Sequence, residues 1–225
     1  MSSLPYQDKP SSWSSHSRIA ACIESLPAQS RVLDVGTASG MLARRAWEQP
    51  LLFFGIETNK EWAEMASPFY ESIWNCPLDE ASDEILRGYD AIVLGDVLEH
   101  LPTPEISLGR LAALQSSGAT FIISVPNIAN LWVRLHLLMG RFDYAERGIL
   151  DRTHLRFFTR KTVIELAKNA GLVLLSIQAT PIPLELVSPF FTTFLGKTLH
   201  ATLAWLTSLF PTLLGYQFIL EAKKS

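Results

Sequence analysis

The stretch Arg31-Val-Leu-Asp-Val-Gly-Thr-Ala-Ser-Gly40 decides the fold. Val32 to Val35 is an apolar run interrupted only by Asp34, the pattern of a short buried strand. Gly36-Thr37-Ala38-Ser39-Gly40 is a turn of small residues, and Met41 to Trp47 resumes with helical spacing. In a strand–turn–helix unit of this kind, backbone N–H groups face a ligand at the carboxyl end of the strand. Larger side chains in the turn would hold that ligand away from the backbone.

Similar units recur along the chain. Leu51 to Glu57, Phe69 to Trp74, Tyr89 to Gly95, Ala119 to Val125 and Leu172 to Ala179 read as further strands. Helical spacing covers Ser14 to Leu26, Thr58 to Ala66, Ile106 to Leu114 and Arg160 to Ala170, the last capped by Thr159 and ended by Gly171. The strand runs are too continuously apolar for a one-sided sheet. The expected fold is therefore α/β: a seven-stranded, mostly parallel, Rossmann-like sheet with helices on both faces. Its last strand, Gly215 to Glu221, is expected to be antiparallel, with an apolar helical insert before it. A flexible arm is expected over 1–13, and a single domain over 14–225.

Composition narrows the function classes. The chain has 225 residues, 48% hydrophobic and 18% charged, which suffices for a sizeable core. Its net charge of −3 argues against a nucleic-acid partner. The two cysteines, Cys22 and Cys76, form no metal or disulfide pattern. No basic segment leads into an apolar run at the N-terminus, so a cytoplasmic protein is expected.

The turn is not a dinucleotide site, because the frame from Gly36 places Met41 at the third glycine of G-x-G-x-x-G. No P-loop pattern occurs. Glu57 follows Asp34 by 23 positions at the tip of the second strand, where a carboxylate can accept from both hydroxyls of a ribose.

With these residues in view, the chain resembles the class I S-adenosylmethionine-dependent methyltransferases. The resemblance is carried by Val32 to Gly40, Gly55-Ile-Glu57, Tyr89 to Leu101 and Ser124-Val-Pro-Asn127, in order and at matching spacings. It implies S-adenosyl-L-methionine (AdoMet) as cofactor. Asp34, Gly36, Thr37, Ala38, Ser39 and Gly40 would lie by its amino-acid part, Glu57 by its ribose, and Asp96 and Val97 by its sulfonium end. Ala38 stands where glycine is commonest, and Pro77 where an acid near the adenine is frequent; Asp79 is the available substitute.

A second centre follows the fourth strand. If Asp96-Val-Leu-Glu99-His100 forms a helical turn, residues 96, 99 and 100 share a face. The pattern resembles the ubiquinone-pathway O-methyltransferases and the small-RNA 3′-terminal 2′-O-methyltransferases, whose matching residues bind Mg²⁺. It implies Asp96, Glu99, His100 and the later His154 as metal ligands, with His100, His154 and Glu99 in catalysis. Metal-free acid–base chemistry, and a histidine that only packs or bonds Asp151 or a backbone carbonyl, remain open alternatives. The run Asp151 to Thr159 also resembles bacterial ubiquinone-like and sugar-modifying methyltransferases, which implies a hydroxyl on a small or lipid-linked acceptor. An N- or C-methyltransferase without metal and a non-catalytic binding module remain alternatives.

Two insertions lie outside the core pattern. Residues 128–158 carry five arginines among aromatics and are expected to face the substrate, gripping an anion or forming a solvated lid. Residues 181–214 hold only Glu185 and Lys197 as charges. As a helix from Phe190 to Phe210 they place Thr193, Lys197, His200, Ala204, Thr207 and Ser208 on one face and a wide band of leucines on the other. Such a helix is expected to meet a membrane surface, cover the substrate or pair in a homodimer; Pro211 and the following strand oppose a membrane span. Peripheral contact with the inner membrane is the matching location.

Overall fold

Apolar strands joined by short helical crossovers must bury both faces of a sheet, and the computed structural model, which describes Ser11 and residues 13–225, shows how. In chain order the elements are α1 (Ser15–Glu24), β1 (Arg31–Val35), α2 (Met41–Arg45), β2 (Leu52–Ile56), α3 (Lys60–Ala66), β3 (Ser72–Trp74), α4 (Asp83–Leu86), β4 (Ala91–Gly95), α5 (Pro104–Ala113) and β5 (Thr120–Pro126). They continue with α6 (Leu131–Leu138), α7 (Arg160–Asn169), β6 (Leu172–Thr180), α8 (Phe194–Leu209), α9 (Pro211–Leu214) and β7 (Gln217–Lys224). Most of the arm expected over 1–13 lies outside the described residues.

Among the described residues the strands form one sheet in the order β3-β2-β1-β4-β5-β7-β6. β7 runs antiparallel to both β5 and β6, and the other pairings are parallel. The seven-stranded Rossmann-like sheet with an antiparallel last strand is thus as expected. Two apolar layers cover it. One centres on Leu33, Ile92, Phe121 and Phe218, and the other on Ile19, Val32, Val93 and Ile122. Consecutive residues of β1 and β4 alternate between the layers, so both strands are largely apolar, with Asp34 the buried exception in β1.

The topology decides where the insertions go. Pro126 at the end of β5 pairs with Gln217 at the start of β7, and Thr180 at the end of β6 pairs with the same residue. Both insertions therefore leave the carboxyl end of the parallel strands, the end that carries the Gly36–Gly40 turn. Asn127 locks this arrangement. It is fully buried, and its side-chain amide donates to the carbonyls of Thr212 (3.0 Å) and Gly215 (2.8 Å).

Helix α8 is shorter than the sequence suggests, because Pro189 and Thr193 confine Pro189–Thr192 to a separate 3₁₀ turn. It packs against β6 with its small and polar face: Gly196, His200, Ala204 and Thr207 are buried. Leu195, Leu199 and Leu209 point outward. Among the described residues no helix is long and apolar enough to cross a membrane.

Candidate active site

One cavity of about 910 Å³ opens at the carboxyl ends of β1, β2 and β4. Gly36, Thr37, Ala38, Glu57, Asp79, Asp96, Val97 and His100 line it, so eight of the sequence-predicted residues meet in one space. The turn reaches it through left-handed backbone at Gly36 (φ 76°) and Ala38 (φ 46°). At Gly36 a Cβ atom would also stand 2.9 Å from Val97 Cγ2, so the close approach of the two loops requires glycine. Glu57 is buried and accepts from the backbone N–H of Ala38 and of Asn59, each at 2.8 Å. The second strand's acid is thereby tied to the turn it was expected to serve.

Several expected residues lie elsewhere. Asp34 is buried inside β1, outside the cavity lining, and accepts from Tyr70 Oη at 2.7 Å. Burial pushes its pKa up to about 6, the Tyr70 hydrogen bond opposing and nearby Glu57 adding to the rise. Asp34 belongs to the packing beneath the turn. Ser39 and Gly40 also fall outside the lining; Gly40 serves as the left-handed N-cap of α2.

Asp96 does not belong to the group of side chains that could hold a metal, which is Glu99, His100 and His154 among the described residues. Its backbone is left-handed (φ 57°), and only Leu98–His100 form a 3₁₀ turn, so residues 96, 99 and 100 share no helical face. One carboxylate oxygen accepts from Ser124 Oγ at 2.6 Å and the other from Gln217 Nε2 at 2.7 Å. It lines the cavity as a fixed anion.

Glu99, His100 and His154 do come together: each offers a ligand atom within 4.8 Å of the others. The carbonyl of Glu99 accepts from the N–H groups of Leu155 (2.8 Å) and Arg156 (3.0 Å), which seats the later loop on the 3₁₀ turn. His100 Nδ1 lies 3.2 Å from the Thr153 carbonyl and His154 Nδ1 lies 3.1 Å from the Ile149 carbonyl. Both Nδ1 atoms therefore carry the proton toward the backbone, leaving each Nε2 with its lone pair. Glu99 is fully buried, and neither side-chain oxygen has a hydrogen-bond partner in the protein. Burial, reinforced by Asp96, holds its carboxyl well above the usual range. Burial also lowers the His154 imidazole, keeping it neutral. His100 faces the cavity, whereas Glu99 and His154 stand behind it.

Sequence reasoning missed His16, Trp62 and Leu78, which also line the cavity. They come from elements whose periodicity indicates packing and gives no sign of a pocket. The arginines of 128–158 are largely engaged within the protein. Arg152 pairs with Glu146 (2.7 Å), Arg141 with Asp143 (3.5 Å), and Arg134 and Arg156 donate to the carbonyls of Ala129 and Pro102. Those four guanidinium groups have protein partners.

The electrostatics favour a cationic ligand. Glu57, Asp79, Glu80, Asp96, Glu146 and Asp151 line the cavity against a single guanidinium, that of Arg152, which Glu146 neutralises.

Comparison with known proteins agrees with this geometry. Residues 13–177 match the family described as methyltransferase domain. A ubiquinone biosynthesis O-methyltransferase of Coxiella burnetii is 25% identical over 154 residues, covering 65% of this chain and 64% of that protein. The chain thus spans just under two thirds of the length of the curated relatives it matches. A SAM-dependent methyltransferase from Archaeoglobus fulgidus superposes with a TM-score of 0.63 at 17% identity, over 93% of this chain and 92% of that one. The magnesium protoporphyrin IX methyltransferase of Synechocystis PCC 6803, solved with bound SAH, superposes with a TM-score of 0.59 at 16% identity, over 95% and 83%. The chain belongs to the methyltransferase-domain family.

Proposed function

We propose that this protein transfers a methyl group from AdoMet to a hydroxyl of a small or lipid-linked acceptor. The carrying observation is one acidic cavity lined together by the Gly36–Ala38 turn, Glu57, Asp96 and His100. Its carboxylates suit a sulfonium and an ammonium and oppose a nucleotide phosphate. Glu57 has unused lone pairs for ribose hydroxyls, and the turn supplies backbone close to the amino-acid part.

When bound, AdoMet supplies a methyl group already activated on sulfur. What is required of the chain is alignment and removal of one proton. His100 Nε2, open and facing the cavity, takes the proton of the acceptor hydroxyl, and the neutral His154 ring backs it at a centroid distance of 4.9 Å. An imidazole base supports oxygen as the acceptor atom.

In a second reading, with His100 Nε2 a ligand in place of a base, the same trio supports a divalent cation. Two imidazoles with Nδ1 tied to carbonyls, and a buried carboxylate without partners, form a ligand set with its outer shell in place. With Asp96 withdrawn, the set holds two nitrogens and one carboxylate, which suits a first-row transition ion better than oxygen-seeking Mg²⁺. Such an ion, when bound, would acidify the acceptor hydroxyl.

Isothermal titration with AdoMet and its demethylated product, in wild type and Glu57→Ala, tests the cofactor. Mass spectrometry of polar and lipid extracts incubated with labelled AdoMet then identifies the acceptor atom. Binding that Glu57→Ala abolishes supports the reading, and a product labelled on nitrogen or carbon excludes a hydroxyl acceptor. Absence of AdoMet binding rejects the enzyme.

A further inference from the structure

Two helices present apolar surface in a form that folding of this chain does not explain. In α6 only Val133 is buried; Leu135, Leu138 and the C-cap Met139 are exposed, Leu138 with 84% of its surface. In α8 the outward face runs Phe194, Leu195, Leu199, Trp205 and Leu209, with Phe194 88% exposed. Both helices belong to segments that leave the carboxyl end of the parallel strands, the end at which the cavity opens. The α6 N-cap, Asn130, donates to the carbonyl of Gly215 at 2.8 Å, directly after α9.

The polar groups of the α8 surface are already satisfied within the helix. Thr198 Oγ1 donates to the Phe194 carbonyl (3.0 Å), Thr202 Oγ1 to Thr198 (3.0 Å) and Ser208 Oγ to Trp205 (2.6 Å). A hydroxyl bonded to its own helix can enter a medium without water at little cost, because no donor is left unpaired. The face consequently offers few free donors to a polar protein partner. Its charge has one sign. From Leu186 to Leu220 the only Lys, Arg, Asp or Glu is Lys197, and from Ile128 to Phe142 the only ones are Arg134 and Arg141, although the chain as a whole carries −3. Glu185, just before the first segment, is buried against His200 (3.4 Å) and adds no surface anion. Exposed indoles at Trp132 and Trp205 are the side chains that settle at a lipid headgroup boundary. A helix of 16 residues is too short to cross a bilayer, but its length and apolar face suit one that lies in a bilayer surface.

We propose that α8, together with α6, docks this protein on the surface of an anionic lipid bilayer, with the mouth of the cavity beside the membrane. Apolar area supplies the attachment, and Lys197 and Arg134 select the anionic leaflet, Arg141 being paired with Asp143 at 3.5 Å. Docking would bring the cavity to acceptors dissolved in lipid. It stands on the surface alone and holds whatever atom is methylated.

Flotation of the whole protein with vesicles of phosphatidylcholine, alone or with 30% phosphatidylglycerol (about the proportion that gives a strongly negative surface), tests the proposal without any methyl acceptor. Wild type is expected to float with the anionic vesicles and to weaken as salt rises. Lys197→Ala should lower partitioning about fivefold, the effect of one surface cation. Leu199→Glu/Trp205→Glu, both on the outer face, should abolish flotation while circular dichroism and AdoMet titration stay as in wild type. Wild type that stays with the aqueous fraction overturns the proposal. So does sedimentation velocity showing a wild-type dimer that the same double substitution splits, which would assign the face to a second copy of the chain.

Discussion

The side-chain amide of Gln217 donates to Asp96 at 2.7 Å, joining residues 121 positions apart. It connects the first residue of the antiparallel strand β7 to the loop that closes the cavity after β4. Because Ser124 holds the other carboxylate oxygen, Asp96 keeps its left-handed backbone and its charge at one position. The clamp explains why an acid beside Glu99 and His100 in sequence does not join them in space.

If the clamp positions Asp96 for the cofactor, Gln217→Leu should weaken AdoMet binding by about tenfold. That matches a hydrogen bond to a charged group, about 1.5–3 kcal/mol. Titration calorimetry reads the change, and Gln217→Glu should be worse because it sets two carboxylates together. Unchanged affinity in both variants would remove Asp96 from the cofactor site.

The buried Asp34 makes stability depend on pH in an unusual direction. Its pKa is about 6 in the folded chain, above the ordinary carboxylate value, so the folded state binds more protons between about pH 4 and pH 6. Its contribution is present below the unfolded value and is lost as pH rises through 6. Asp34→Asn retains an acceptor for Tyr70 and has no charge to bury. Urea unfolding should therefore show the variant gaining on wild type by about 1–3 kcal/mol between pH 4 and pH 7. A difference that is flat across this range would contradict the burial argument.

Gly55 is where β2 meets the turn: a Cβ there would lie 2.5 Å from Thr37 Cγ2 and 3.1 Å from Ile73 Cγ1. Gly55→Ala should destabilise the fold by about 1–3 kcal/mol through overpacking, seen as a lowered urea midpoint. It should also weaken AdoMet binding, because Thr37 lines the cavity. Gly109→Ala, where nothing lies within 4 Å, is the control and should retain both properties.

For the Glu99, His100 and His154 cluster, dialysis against Mn²⁺ or Zn²⁺ followed by elemental analysis should find about one ion per chain. His154→Ala should reduce it at least tenfold and leave α7 and the sheet intact by circular dichroism. Equal metal content in wild type and variant would leave His100 and His154 as acid–base groups only.

The local parts of this protein are determined by its sequence, and the associations between distant parts are decided by tertiary structure. Apolar runs bounded by turn residues define the strands, and Gly36 and Glu57 announce a ligand site because backbone freedom and a strand-end carboxylate are local properties. Pairing of the antiparallel β7 between β5 and β6 brings Gln217 to Asp96 and diverts that acid from the cluster that linear spacing suggested. The carbonyl of Glu99 recruits the 150s loop, so His154 reaches Glu99 through long-range backbone bonds. An amphipathic pattern for α8 was likewise legible, but periodicity carries no information about which face the sheet receives. Packing against β6 turned the small residues and His200 inward and left Phe194, Leu199 and Trp205 outside.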